Sequence, residues 1–342
     1  MNKKILVSIL CVTYNHEKFI RNALDSFLMQ RTNFDFEILI HDDASTDNTT
    51  NIIKEYEKKY PALIKVIYQT ENQYSKGISP AIYLYEKAQG KYLAMCEGDD
   101  FWIDNKKLQK QIDFLEKNKD YYATYHNVLV VDEKNRLNPK EQGSFPLIEE
   151  EDYEKEEIEI YNLIGQLCSI VARNFWITLT EEEKKSYEVT KANGDEKLLL
   201  IFTNFGKIKF FKDIMGCYRR SYTNGSWNAK NKNKNLLEIN YDSTIELKKM
   251  VKTICKKDIT IEDELNIFLL KSMLRFIKTR NKNDFKIFFK ILKKNRFKHN
   301  FISWFFKRSY NFILFKLNLK NKKNKRTPYR GEIKYWKEKI KN

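Results

Sequence analysis

Unbroken apolar runs alternate with helix-spaced amphipathic stretches over residues 5–132. Residues 5–12 (ILVSILCV) are a continuous apolar run, the pattern of a strand buried on both faces of a parallel sheet. Phe19, Ile20, Ala23, Leu24, Phe27 and Leu28 then recur at helical spacing, which predicts a helix over 18–30. A second buried strand is predicted at 36–40. It runs into the polar loop HDDASTDNTT and a helix over 48–59 that ends before Pro61. A strand at 64–68, a helix near 78–89, a strand at 92–96, a helix at 105–118 and a strand near 121–132 complete the series. Such alternation predicts an α/β fold, a mainly parallel open sheet flanked by helices. In such sheets ligands bind outside the carboxyl ends of the strands. Three polar clusters follow predicted strands here: Thr13-Tyr14-Asn15, Asp42-Asp43 and Glu97 to Asp100. All three are expected at one edge of the sheet.

Beyond 132 the pattern is less regular. Residues 138–160 are acidic and read as a surface excursion, residues 161–176 and 193–227 read as ordered, and from about 260 the chain reads as helical, basic and aromatic. No internal repeat is visible. The domain boundary is expected near 230, with a catalytic domain at 1–230 and a helical extension at 231–342.

Composition changes this picture mainly through charge. The 342 residues are 42% apolar and 14% aromatic, which excludes a disordered chain, and the formal net charge is +17. Residues 271–342 hold 24 Lys and Arg against Asp284, Glu332 and Glu338, so the basic character belongs to the tail and the rest is mildly acidic. Such a tail suits an anionic partner. The five cysteines, Cys11, Cys96, Cys168, Cys217 and Cys255, show no CxxC or zinc-ligand spacing and read as reduced, buried thiols of a cytosolic protein. The N-terminal run lacks a small-residue cleavage site and reads as a first strand rather than a signal peptide. No stretch of apolar residues is long enough to span a bilayer.

Glu97, Asp99 and Asp100 place three carboxylates within four residues. Charges that close raise one another's pKa, and a hard divalent cation such as Mg²⁺ or Mn²⁺ relieves the repulsion while also binding phosphate oxygens. Read alone, the cluster is either such a cation site or a solvated acidic turn. Asp42 and Asp43 can accept hydrogen bonds from a ribose or a base. The same loop also offers Ser45, Thr46 and Asp47 as caps for the following helix. GxGxxG, GxxxxGK[ST] and GxSxG are all absent, which argues against Rossmann dehydrogenases, P-loop NTPases and α/β-hydrolases. His16, His41, His126 and His299 lack metal-binding spacing and read as structural.

Three blocks, VSILCVTYN, EILIHDDASTDNT and GKYLAMCEGDDFW, together resemble family 2 glycosyltransferases of the GT-A fold. The likeness is firm over residues 5–132 and looser to 227. It implies a nucleotide-sugar donor, usually a UDP-sugar, and transfer to an acceptor hydroxyl with inversion at the anomeric carbon. By that resemblance Thr13, Tyr14 and Asn15 pack around the nucleotide, Asp42 and Asp43 contact it, and Asp43 meets the uracil. The acidic motif falls on Glu97, Asp99 and Asp100, with Glu97 standing where Asp is common; Asp99 and Asp100 hold metal or phosphate. The Gly-Asp pattern before an apolar helix falls on Gly194-Asp195, which makes Asp195 the general base and Glu196 its reserve. As residues alone, Asp195 also suits the cap of a helix over 196–203. Tyr218, Arg219, Gly225 and Trp227 match a later segment, and Arg219 is placed to approach the diphosphate or to serve a structural ion pair. Ser221 stands where the family often has His.

The tail mixes Lys and Arg with Phe, Leu, Ile and Trp. Phe285, Phe288, Phe289 and Leu292 would share one face of a helix, with Trp304, Phe305 and Phe306 set between charges. Residues 266–342 are therefore expected at an anionic membrane surface, on the cytoplasmic face, near a sugar or lipid-linked glycan acceptor. Packing of these helices on the catalytic domain is the alternative. Three rival readings fit less well. A nucleotidyltransferase would need a glycine-rich basic loop. A nucleic-acid-binding protein conflicts with the carboxylate-lined edge. A non-catalytic membrane scaffold would not need its acidic motif.

Overall fold

A computed structural model describes residues 4–143, 145–153, 164–220 and 236–259, together with ten scattered positions between 268 and 326. The chain opens with β1 (Val7–Thr13), α1 (Ile20–Leu28), β2 (Phe36–Asp42), α2 (Thr49–Lys59), β3 (Ile64–Tyr68), α3 (Ala81–Lys87) and β4 (Tyr92–Met95). It continues with β5 (Phe101–Trp102), α4 (Lys107–Lys117), β6 (Tyr121–Val131), α5 (Pro139–Gln142), β7 (Leu147–Ile148), β8 (Glu151–Tyr153) and β9 (Val171–Arg173). The remaining principal elements are α6 (Glu181–Val189), α7 (Gly194–Phe205), β10 (Lys207–Arg219) and α8 (Leu236–Cys255).

The main sheet runs β3-β2-β1-β4-β9-β6-β10-β5, with β8 added on β10. β3, β2, β1 and β4 are parallel, as are β6 and β10, and these make the expected parallel core. β5, β8 and β9 run antiparallel, so the sheet is mixed. These three strands are only two or three residues long, too short to leave a periodic signature.

Strand alternation feeds two cores, one on each face. Val7, Ile9 and Cys11 of β1 join Ile38 and Ile40 of β2 on the face covered by α1, α2 and α4. Leu10, Leu39, Leu93 and Met95 point the other way, towards α3, α7 and α8. Between the strands, Ser8 donates to Glu37 at 2.7 Å and Lys65 pairs with Glu37 at 2.8 Å, which satisfies this buried acid.

The acidic excursion is more regular than its composition suggests: residues 151–153 join the sheet as β8 while staying half-exposed. Lys209 of β10 draws them in, pairing with Glu150 and Asp152 at 2.9 and 3.1 Å. α8 falls inside the 231–342 stretch expected to be helical, ahead of the basic, aromatic part read from about 260. Its Leu247, Met250, Val251 and Ile254 are buried in the core shared with α7. This helix is neither basic nor aromatic overall, so composition did not mark it, although its apolar spacing is helical. Among the described residues no helix is long and apolar enough to cross a membrane. Cys11, Cys96, Cys168 and Cys217 are buried free thiols. Most of the tail, including Phe288, Leu292 and Trp304, lies outside the described residues.

Candidate functional site

Parallel register brings the polar clusters together. Thr13 at the end of β1 pairs with Asp42 at the end of β2. The chain leaving β4 stays on β1: Cys96 N–H donates to Leu10 O at 3.1 Å and Gly98 N–H to Val12 O at 2.9 Å. Glu97, Asp99 and Asp100 therefore sit over the end of β1. The approach is close. A Cβ on Gly98 would lie 2.7 Å from Thr13 Oγ1 and 3.0 Å from His16 Nδ1, so only glycine fits.

The loops after β1 and β2 are stitched together. Asn15 takes a left-handed backbone with φ 56°. Its N–H donates to Ser45 Oγ at 2.9 Å, and its side-chain oxygen accepts from Thr46 N–H at 2.8 Å. Asp42 accepts from Ser45 N–H and from the Thr50 hydroxyl. Asp43, fully buried, accepts from the N–H groups of Gln73 and Tyr74 at 2.7 and 3.1 Å, which fastens the turn after β3 to this edge. Asp47 accepts from Thr49 N–H at 3.0 Å, and Glu17 accepts from Asn48 N–H at 3.0 Å. Both serve the start of α2. Asp47 was among the expected caps; Glu17, remote in sequence, was not.

One oxygen from each of Glu97, Asp99 and Asp100 lies within 4.8 Å of the others. Asp100 accepts the Arg219 backbone N–H through Oδ1 at 2.7 Å, while its buried Oδ2 has no nitrogen or oxygen donor among the described residues; the Cys168 thiol, a weak donor, is the carboxyl's other polar neighbour. Desolvation, then the neighbouring Asp99, pushes the Asp100 carboxyl well above the ordinary carboxylate range. Glu97 is pushed up to about 8, first by desolvation, then by Asp99 and Asp195. Its side chain still meets solvent. Three hard oxygen donors, one of them buried and unsatisfied, fit a divalent cation. His16 Nε2 stands 3.8 Å from Asp99 Oδ2.

Asp195 and Glu196 open α7, and their environments differ. Asp195 lies close enough to Glu97, Tyr125 and Tyr187 for its charge to raise the pKa of all three. Desolvation raises its own carboxyl despite the helix N-terminus, which favours charge. Glu196 accepts from the Asn193 backbone and from Ser243 Oγ of α8, the latter at 3.4 Å. It thus serves the helix cap and the α7–α8 contact, and desolvation followed by Asp195 pushes it up to about 7.

The Arg219 guanidinium packs 4.4 Å from the Phe19 ring centre and donates to the carbonyls of Asp99 and Asp132, each at 2.7 Å. It braces the acidic turn from beneath, and its buried Nη2 has no partner among the described residues. Tyr74, which only the fold brings to this edge, lies near enough to Glu97 to feel its charge. No local signal in the sequence marks Tyr74. Ser221, Gly225 and Trp227 lie outside the described residues.

Residues 8–178 match the family model described as "Glycosyl transferase family 2". The chain belongs to that family. An uncharacterised protein of Mycobacterium tuberculosis is 35% identical over 227 residues, 65% of this chain and 61% of its own length. This family 2 chain therefore matches about three-fifths of that relative. Escherichia coli WfaP, named UDP-Glc:alpha-D-GlcNAc-diphosphoundecaprenol beta-1,3-glucosyltransferase, is 36% identical over 126 residues, 36% of this chain and 47% of WfaP. Among solved structures, S. aureus TarS 1–349 in complex with UDP superposes with a TM-score of 0.52 at 18% identity, covering 81% of this chain and 73% of TarS. The GT-A fold expected from the sequence is the fold observed.

Proposed function

We propose that this chain is a metal-dependent inverting glycosyltransferase that moves a sugar, hexosyl or N-acetylhexosaminyl, from a UDP-sugar to an acceptor hydroxyl. The observation that carries the reading is the three-carboxylate cluster with its unsatisfied buried oxygen, faced by Asp195. Asp99 and Asp100, with Glu97 beside them, would hold Mn²⁺ or Mg²⁺. Such an ion, when bound, neutralises charge on a leaving diphosphate. Thr13, Tyr14, Asn15, Asp42 and Asp43 form the nucleotide end of the cleft, with Asp43 also fixing the turn that walls it. Arg219 backs the diphosphate end.

Asp195 serves as the general base. It takes the acceptor hydroxyl proton as that oxygen forms its bond to the anomeric carbon, while the carbon–oxygen bond to the diphosphate breaks on the opposite face. Its desolvated carboxylate is a stronger base than a free one, which suits an alcohol nucleophile. Glu196, occupied by the helix cap, remains the reserve.

The pathway reading is surface polysaccharide, lipopolysaccharide or related glycan synthesis, with a sugar or lipid-linked acceptor. The printed activity of WfaP, on a diphosphoundecaprenol-linked sugar, supports it. The catalytic domain would span 1–230, and the basic region within 231–342 would rest on an anionic membrane surface at the cytoplasmic face. Calorimetric titration of UDP with and without Mn²⁺ tests the core of this proposal. Metal-dependent binding that Asp100→Ala abolishes supports it. Absence of binding by UDP, GDP and dTDP in both conditions would overturn it.

A further inference from the structure

The end of β10 carries a second side chain towards the acidic cluster. β10 pairs antiparallel with β5, Gly216 opposite Trp102 and Cys217 opposite Phe101, a register that carries Tyr218 on to Asp100. The bond from Arg219 N–H to Asp100 Oδ1 fixes that alignment at 2.7 Å. Strand alternation puts Tyr218 and Arg219 on opposite faces. Arg219 goes beneath the turn onto Phe19, and Tyr218 stays half-buried beside the carboxylates. Asp100, Glu97 and Asp99 all lie near enough for their charges to bear on the Tyr218 phenol.

The pose of this ring is set from outside the strand. Phe145 meets Tyr218 edge-on, 5.5 Å between ring centres, and the Arg220 guanidinium lies 5.6 Å from the Phe145 ring centre. Glu141 pairs with Arg220 at 3.4 Å. Gln142 anchors the same stretch, donating to Phe145 O at 2.7 Å and accepting from Val130 N–H of β6 at 2.8 Å. A segment that reads as a surface excursion is thereby a buttress.

The chemistry of the edge says what such a phenol is for. Glu97, Asp99 and Asp100 offer only acceptor oxygens when ionised. A cation would satisfy them, but a diphosphate brings further acceptors and needs donors. We infer that the Tyr218 hydroxyl is a donor-binding group for the diphosphate of the nucleotide, held in place by Phe145 and by residues 138–143. This rests on the nucleotide-sugar reading above and names a residue within that site.

The test is calorimetry on the full chain with Mn²⁺, comparing UDP with UMP, which lacks the second phosphate. Tyr218→Phe keeps the ring and its packing on Phe145. It should weaken UDP binding about tenfold, the worth of one hydrogen bond to a charged group, and change UMP binding less than about twofold. Phe145→Ala, with its thermal midpoint recorded, should show the same selectivity at a smaller size. UDP affinity unchanged in Tyr218→Phe, or equal losses for UDP and UMP, overturns the assignment while leaving the donor site standing. Failure of the unmutated protein to bind either nucleotide, or GDP, overturns the donor reading and this inference with it.

Discussion

Asp100 gives one oxygen to the Arg219 backbone N–H at 2.7 Å and leaves the other buried with no nitrogen or oxygen donor among the described residues. A half-satisfied carboxylate beside two more acids costs stability when empty and gains most from a cation. Asp100→Asn keeps the Arg219 contact and removes the charge. It should lose metal-dependent UDP binding by about a hundredfold or more, since a metal ligand is gone. The metal-free variant should nonetheless unfold at a temperature no lower than the unmutated protein. Calorimetry and thermal unfolding in chelator read the two effects separately.

Glu97 makes the same point through pH. Its folded-state value of about 8 lies above the ordinary 4.5, so the folded protein binds more protons than the unfolded chain in that window. That contribution to stability is present below about 4.5 and is lost as pH rises towards 8. His126, whose pKa burial lowers, and Lys107, lowered to about 7 by burial, push in the opposite direction. The unmutated protein alone is therefore uninformative, and its difference from Glu97→Gln is the quantity to follow. In chelator the variant should gain on the unmutated protein as pH is raised from 5 to 8. Saturating Mn²⁺ should reverse that gain. Denaturant titrations at several pH values measure both.

Asp195 is assigned a proton, not a nucleotide. Asp195→Asn should lower turnover by about a thousandfold with UDP affinity within about twofold, the range expected for loss of a general base. Because desolvation raises its carboxyl, the acid limb of kcat/KM should lie above the ordinary carboxylate range. Activity should fall as pH drops through that limb. Glu196→Gln should alter thermal stability more than turnover, through its links to Asn193 and Ser243. A pH–rate profile with WfaP-type lipid-linked acceptors and UDP-sugars checks the limb.

The legible part of this fold is the part built from long, local signals. β1, β2 and β4 are apolar runs that stop at polar residues, and parallel pairing then forces Thr13, Asp42 and Glu97 to one edge. What was not legible depends on distant pairing. β5 is two residues long and exists because Gly216 and Cys217 lie beside it. Those residues reach it only after register shifts between Phe211 and Gly216. Tyr74 reaches Glu97 through an Asp43 bond spanning 31 residues of sequence. α8 lies in the stretch expected to be helical, but its bounds were not read, because composition rather than spacing was followed after residue 227.

Gly98 tests the geometry of the edge without touching a carboxylate. An alanine Cβ would meet Thr13 Oγ1 at 2.7 Å and Thr13 Cβ at 2.8 Å. Thr13 is fully buried and cannot swing clear, so the acidic turn must lift from β1. Gly98→Ala should cost about 1–3 kcal/mol of stability, as overpacking does elsewhere. Metal-dependent UDP binding should fall with it, although all three acids remain. Pairing Gly98→Ala with Thr13→Ser should recover little of the loss, because serine keeps both the Oγ1 and the Cβ that the added methyl meets. Unchanged metal affinity in a folded Gly98→Ala would mean the cluster does not depend on its seat over β1.

Lys107 supplies the last prediction. It is fully buried, its Nζ donates to Gln111 Oε1 at 2.8 Å, and it lies 4.2 Å from the Trp102 ring centre. Burial lowers its pKa from 10.5 to about 7. Below 7 both folded and unfolded chains carry the proton, so the full cost of burying the charge is present. From 7 to 10.5 the folded protein sheds it first, and stability rises with pH. Lys107→Met fills the same space with no charge. Its stability relative to the unmutated protein should therefore be greatest near pH 6 and shrink towards pH 9, offset throughout by about 1 kcal/mol for the acceptor left on Gln111. Denaturation midpoints at the two pH values measure the narrowing. A difference independent of pH would mean that the cation on Trp102 is not desolvated in the way its surroundings require.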